Sequence, residues 1–443
     1  MDGNNKKYYI LFSLIIFISF CLFSQNNFTF MRGYTGNPPI EKELRPDTHL
    51  KDKAVWALLL NMKDGSISIE TAKELLNKSS FTIDDLIRST LIKVENGQCK
   101  INCLFFTAND VDKILFAVKK YGKILVEDYI SNKAKFNKLY KNYKHKSVSI
   151  EYHNFIVIGA FSLDWDGLKK TLDWGYRDIN ADKDFSFWVA EKSEKHDFNG
   201  FYWGTTAFPV GKINFKKKPI DFAFMSFGDP NSYPRFNLPD LLYTPKDKLP
   251  KNLINSMDEL TFNDDNSFGQ NFQNVIGLNL SRDIGSILFS IRNGANKIIK
   301  IEKQTNLKLE RINAILKVLN ELQYIEIVNS KVNLIAPVYE NQDKKMINNV
   351  TELSKKIIKQ WLDTYYYKMK QELQSFTTLK HGITYETLYT RIWHYIFGYV
   401  NKQLVKEGFF KNPYDDNINY KGSLVVTWKK NVFRYLVLTK SNN

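Results

Sequence analysis

A chain of 443 residues that is 43% hydrophobic and 14% aromatic carries ample apolar material for more than one packed core, which excludes wholesale disorder. Its formal net charge of +16 favours polyanionic partners such as nucleic acid, acidic glycans or an anionic membrane face. The basic residues are spread along the chain, as a general richness in Lys, Asn and Ile would also produce, so the surplus alone selects no site.

Lys6 and Lys7 precede an apolar run from Tyr8 to about Ser24, and a polar Gln-Asn-Asn follows. A charged start, an apolar stretch and a small residue before a polar one is the order of a secretory signal, with cleavage expected between Ser24 and Gln25. An uncleaved anchor, crossing the membrane through residues 8–24, is the alternative, because the run is at the short limit for a spanning helix. Cys21 does not read as a lipidation site, since Phe20 stands where such motifs need a small residue. The expected location is therefore outside the cytoplasm, secreted or periplasmic, or at the membrane.

Residues 25–46 read as a linker bearing Pro and Gly. A first module, residues 47–146, follows. It has helical patterns in "KDKAVWALLLNM" and "SISIETAKELL", a short one near Thr82–Thr90, and two strands turning at Asn96-Gly97. A long amphipathic helix is expected from about Asn109 to Tyr143, with Val111, Ile114, Leu115, Val118, Tyr121, Leu125 and Tyr129 on one face. Cys99 and Cys103 are four apart on an expected strand, about 13 Å from each other, which is too far for a disulfide unless the strand breaks.

Residues 147–275 are expected to form a β-rich middle domain from "NFIVIGAFSL", "FNGFYWGTTAFPV" and "IDFAFMSF", with one helix near "DWDGLKKTLDWGY". In that helix Asp164 reads as an N-cap. The loop "SFGDPNSYPRFNLPDLLY" sets Asp229, Arg235 and Asp240 among three prolines, a candidate ligand loop. Turn capping by the two aspartates, with Arg235 paired to one of them, is the plainer reading.

The module at 276–376 repeats the order of the first. Two short helices, "RDIGSILFSIRNG" and "NKIIKIEKQTN", precede a third, "LKLERINAILKVLNELQ". A hairpin turns at Asn329-Ser330, and a long helix carries Met346, Val350, Leu353, Ile357, Trp361 and Tyr365 on its apolar stripe. Residues 377–443 add a helix closed by Gly408 and a last hairpin, "SLVVTWKKNVFRYLVL".

Through "IIKIEKQTNLKLERINAILKVLNELQYIEIV" the second module, about residues 282–337, resembles the winged-helix family. Ile301, Leu309, Ile312, Ile315, Leu316, Leu319 and Leu322 supply its core spacing. The first module, about residues 51–107, resembles it more weakly because its third helix is short. The resemblance implies a third helix whose exposed face meets a partner through Lys308, Arg311, Asn313 and Lys317, with Lys331 added by the wing. If the partner is DNA, Arg and Asn suit base edges and Lys suits phosphate. Nine basic residues against five acidic ones over 282–337 is a modest surplus for a groove binder, and Glu310 near the helix start repels phosphate.

The scattered histidines include no HExxH and no cysteine partner, and neither a P-loop nor a GxSxG occurs. No catalytic, metal or cofactor residues are therefore expected. The expected fold is α+β: two winged-helix-like units, each continued by a long helix, flanking a β-rich middle. The expected function is non-enzymatic binding of a protein or polyanion outside the cytoplasm. The alternative is a membrane-tethered winged-helix transcription regulator, which binds DNA only if its body is cytoplasmic.

Overall fold

The computed structural model describes residues 30–36, 41, 44–141, 143, 148–178, 185–191, 204–228, 275–321 and 324–411. In chain order its elements begin β1 (Phe30–Gly36), α1 (Pro46–His49), α2 (Lys53–Asn61), β2 (Ile67–Ser68), α3 (Ile69–Leu75) and α4 (Ile83–Arg88). Next come β3 (Ile92–Glu95), β4 (Gln98–Ile101), β5 (Leu104–Phe106), α5 (Ala108–Ser131), α6 (Lys133–Leu139) and α7 (Ile150–Asn154). A π-helix over Phe155–Asp166 joins α7 to α8 (Gly167–Asp173), and β6 (Phe185–Glu191), β7 (Gly204–Phe215) and β8 (Lys218–Gly228) follow. The chain continues with α9 (Val275–Arg292), α10 (Ile298–Thr305), α11 (Leu309–Glu321), β9 (Ile325–Val328) and β10 (Lys331–Leu334). It closes with α12 (Lys344–Glu372), α13 (Thr377–Lys380) and α14 (Tyr385–Lys406). The chain is thus mixed helix and strand, with small sheets.

Two compact units emerge, and the divisions between them fall inside α5, α12 and α14. The first comprises residues 1–117, 176–198 and 368–390. Its helices start on local chemistry. Asp52 caps α2 by accepting from the Ala54 amide at 2.8 Å, and Thr82 and Asp85 form a reciprocal capping box at α4. Asn96 and Gly97, both at positive φ, make the tight turn between β3 and β4. β2 pairs with the far edge of β4, giving the order β2-β4-β3. Val55, Leu58, Leu59, Leu86, Ile92 and Ile101 are fully buried in the core between these helices and this sheet. A second sheet, β1-β6-β5, has β6 antiparallel to β1 and parallel to β5. Thr378 serves the edge strand β5: its hydroxyl accepts from the Phe105 amide (3.1 Å) and donates to the Phe105 carbonyl (2.7 Å).

The second unit comprises residues 118–175, 199–367 and 391–443. The run Asn154–Leu163, expected as a strand, is instead helical, and helix continues unbroken from Ile150 to Asp173. Every residue from Tyr152 to Asp164 is buried, so apolar side chains are welcome all round and neither alternation nor a polar face is required. Asp164 accordingly does not cap a helix start; it is buried within the π-helix. Gly159 leaves room there for Asn401 and Phe227, and Gly167 for the Trp393 indole, which donates to the Leu163 carbonyl at 3.0 Å. On α12, Trp361 donates to the Tyr121 carbonyl (3.0 Å) and Ser354 bonds the Tyr129 hydroxyl (2.6 Å).

The helix expected over 109–143 breaks at Asn132, which separates α5 from α6. All seven residues of its expected apolar face are buried. Cys99 and Cys103 are both buried and free, Cys103 lying beyond the end of β4. Among the described residues no helix is long and apolar enough to cross a membrane. The leader and the last hairpin lie outside the described residues.

Candidate interaction site

α9, α10, α11 and the β9–β10 hairpin share one core with part of the β7–β8 hairpin. Ile287, Leu288, Ile301, Ile312, Ile315 and Leu319 are fully buried in it, beside Phe222 and Phe224. α10 stops because Asn306 takes a left-handed conformation (φ 62°), and its amide bonds the Glu302 carbonyl at 2.7 Å. Three residues later α11 begins. β10 is also tied to the residues before α10, since the Val332 amide donates to the Asn296 carbonyl at 2.9 Å.

The buried residues of α11 recur at Ile312, Ile315, Leu316 and Leu319, which turns Lys308, Asn313 and Lys317 outward. Lys331 is exposed at the start of β10. Arg311 departs from the expected surface. Its Nε lies 3.1 Å from Asp283 Oδ2 on α9, in a partly buried pair that pins α11 to α9. Burial pushes the Asp283 carboxyl up, and the Arg311 guanidinium opposes that shift. Asp283 as the holder of Arg311 was invisible in sequence, because the two are 28 residues apart and nothing local signals the pairing.

Leu309, expected in the core, is 44% exposed, because it opens α11 ahead of the first full turn that reaches inward. It is one of several exposed apolar side chains of this module, with Ile299 (74%), Ile327 (45%) and Val328 (49%). Leu322 and the loop residues Asp229, Arg235 and Asp240 lie outside the described residues.

A buried clamp fixes the module's far end. Arg292, at the close of α9, contacts Asp343 at 3.0 Å and donates from Nε to the Val338 carbonyl at 2.9 Å. Asp343 also accepts from the Glu340 amide at 2.8 Å, so one carboxylate organises both the guanidinium and the entry to α12. Asp166, in the second unit as well, pairs with Lys355 at 3.2 Å. Among the described residues no group of three or more His, Cys, Asp or Glu is placed to hold a metal ion. No family model, curated protein or solved structure matches this chain.

Proposed function

We propose that the chain is a non-enzymatic binding protein, exported or membrane-anchored, that uses winged-helix-like modules to contact a protein partner. The fold reading is supported by element order. In the first unit α2, β2, α3, α4, β3 and β4 succeed one another with β4 central in its sheet. In the second, α9, α10 and α11 precede a hairpin tied back to residue 296. The observation that carries the partner class is the pairing of Arg311 with Asp283 on a module that leaves Ile299, Leu309, Ile327 and Val328 exposed. The residue best suited to read a base edge holds two helices together, and apolar side chains face outward.

The second reading, a membrane-tethered transcription regulator, is supported by the exposed Lys308, Asn313, Lys317 and Lys331. Two measurements separate the readings. Selection of duplexes from a random pool by the full chain at physiological salt is expected to enrich no sequence, leaving only salt-sensitive binding. An enriched motif that disappears in Asn313→Ala overturns the first reading. A reporter fused after Asn443 is expected outside the cytoplasm; a cytoplasmic reporter favours the regulator.

A further inference from the structure

We infer that the tip of the β7–β8 hairpin, together with the turn between α10 and α11, is a docking surface for an anionic membrane. The two strands meet at Lys216 and Lys217, flanked by Lys218. The Lys216 amide donates to the Gln304 carbonyl at 2.8 Å, so the tip is fastened to the last turn of α10. That bond sets the tip against the turn of α10 that carries Lys303, and Lys308 and Leu309 follow Gln304 by four and five residues, across the Asn306 turn. All five lysines are exposed, and none makes an ion pair among the described residues. Their acidic neighbours along these two helices are Glu302 and Glu310, so the patch keeps a positive surplus.

The backbone adds an independent observation. Lys216 and Lys217 sit at φ 48° and 61°, the left-handed pair of a tight hairpin turn. Asn-Gly or Gly-Gly makes such a turn without strain, whereas two lysines make it at a cost in stability. Folding alone does not call for lysine at these positions. Complementing the negative end of α10 does not call for it either, since one or two nearby cations suffice for a helix dipole.

The composition selects the partner. The patch holds no arginine to fork onto a base or a phosphate and no exposed aromatic ring for a base to stack on. It does hold an exposed leucine, Leu309, next to Lys308 in the chain. Lysine amines attracted to anionic headgroups, with an apolar side chain entering the acyl boundary, is the pattern of an interfacial anchor. The hairpin 204–228 lies outside the stretch that resembles a winged helix, although Lys303, Lys308 and Leu309 belong to it, so the tip variant tests the membrane inference without altering any residue of that stretch.

The test is co-sedimentation of the full chain with phosphatidylcholine vesicles, with and without phosphatidylglycerol. Three proteins are compared: the parent, a tip variant carrying Lys216→Glu, Lys217→Glu and Lys218→Glu, and a charge-matched variant carrying Lys344→Glu, Lys345→Glu and Lys356→Glu. Any binding through residues 8–24 is common to all three. The expected result is tighter binding to anionic vesicles, weakened roughly a hundredfold in the tip variant and much less in the charge-matched one. Equal weakening in both variants, or no dependence on phosphatidylglycerol, overturns the inference. So does tighter binding to random-sequence duplex DNA than to the anionic vesicles, lost in the tip variant, which assigns the patch to nucleic acid. Circular dichroism matching the parent confirms that each variant is folded.

Discussion

Arg292 and Asp343 show how one buried pair can join segments that are 51 residues apart. Their side chains are 2% and 7% exposed, so each charge is solvated by its partner and by the few groups around the pair, Val338 and Glu340. Asp343→Ala strands the guanidinium and is expected to cost about 3–5 kcal/mol in urea unfolding. The double variant Arg292→Met, Asp343→Leu is expected to recover much of that loss, because both members of the pair are removed together and Glu340, which also faces Arg292, keeps its hydrogen bond from Asn293. A double variant no more stable than the single one would show that the clamp acts through packing. Neither residue was singled out in the sequence, where a lone Arg and a lone Asp give no sign of their contact. The cysteines were expected to be free because one strand would hold them apart. Cys99 and Cys103 are free and buried, but they do not share a strand, since β4 ends at Ile101 and β5 starts at Leu104. Burial raises both thiols, that of Cys103 to about 12. Alkylation of the native protein at neutral pH is therefore expected to leave both unmodified, and under denaturing, non-reducing conditions to modify both. Protection of both until a reductant is added would mean a disulfide.

Helices and hairpins with strong local punctuation were legible. α11 shows its 3.6-residue period, and Asn96-Gly97 announces its turn as plainly as a dipeptide can. The segment Phe155–Leu163 was not legible, because an aromatic and β-branched run without polar interruption fits a buried strand and a buried helix equally well. Only its length after joining α7 and α8 decides for helix, and that follows from tertiary burial. Close packing at this helix gives a direct check. A methyl group on Gly159 would stand 2.6 Å from Asn401 Oδ1 and 2.8 Å from the Phe227 ring. Asn401 is itself buried and Phe227 lies in the core, so neither moves freely. Gly159→Ala is expected to destabilise by about 1–3 kcal/mol despite the better helix propensity of alanine. At half-buried Gly65, where nothing lies within 4 Å, the same change creates no such clash. A thermal shift for Gly159→Ala no larger than for Gly65→Ala would refute the close-packed helix.

At the scale of the molecule, units assembled from separated stretches leave no local signature. The Phe105–Thr378 hydrogen bonds span 273 residues. Buried ionisable groups couple the stability of each unit to pH. His49 and His381, both in the first unit, are almost wholly buried. Desolvation lowers the pKa of each, with Arg88 adding to that effect at His49 and Lys100, Lys380 and Lys93 at His381. Asp85 and Asp47 pull His49 the other way without overcoming burial. A depressed histidine pKa means that the unfolded chain takes up protons first. The stability it contributes is complete above about pH 6.5 and is lost as pH falls from there towards the folded value. In the second unit, burial raises the pKa of Asp166 and Asp283, each ion-paired. Those groups favour protonation when folded, so their burial cost shrinks as pH falls. Through these two histidines the first unit is therefore expected to weaken between pH 7 and pH 5. Calorimetric scans across that range should show the transition of the first unit moving to lower temperature. The double variant His49→Gln, His381→Gln is expected to flatten that pH slope, even if the lost packing of the His49 ring on Phe81 lowers its baseline stability. A slope that survives in the double variant would trace the acid response to other groups.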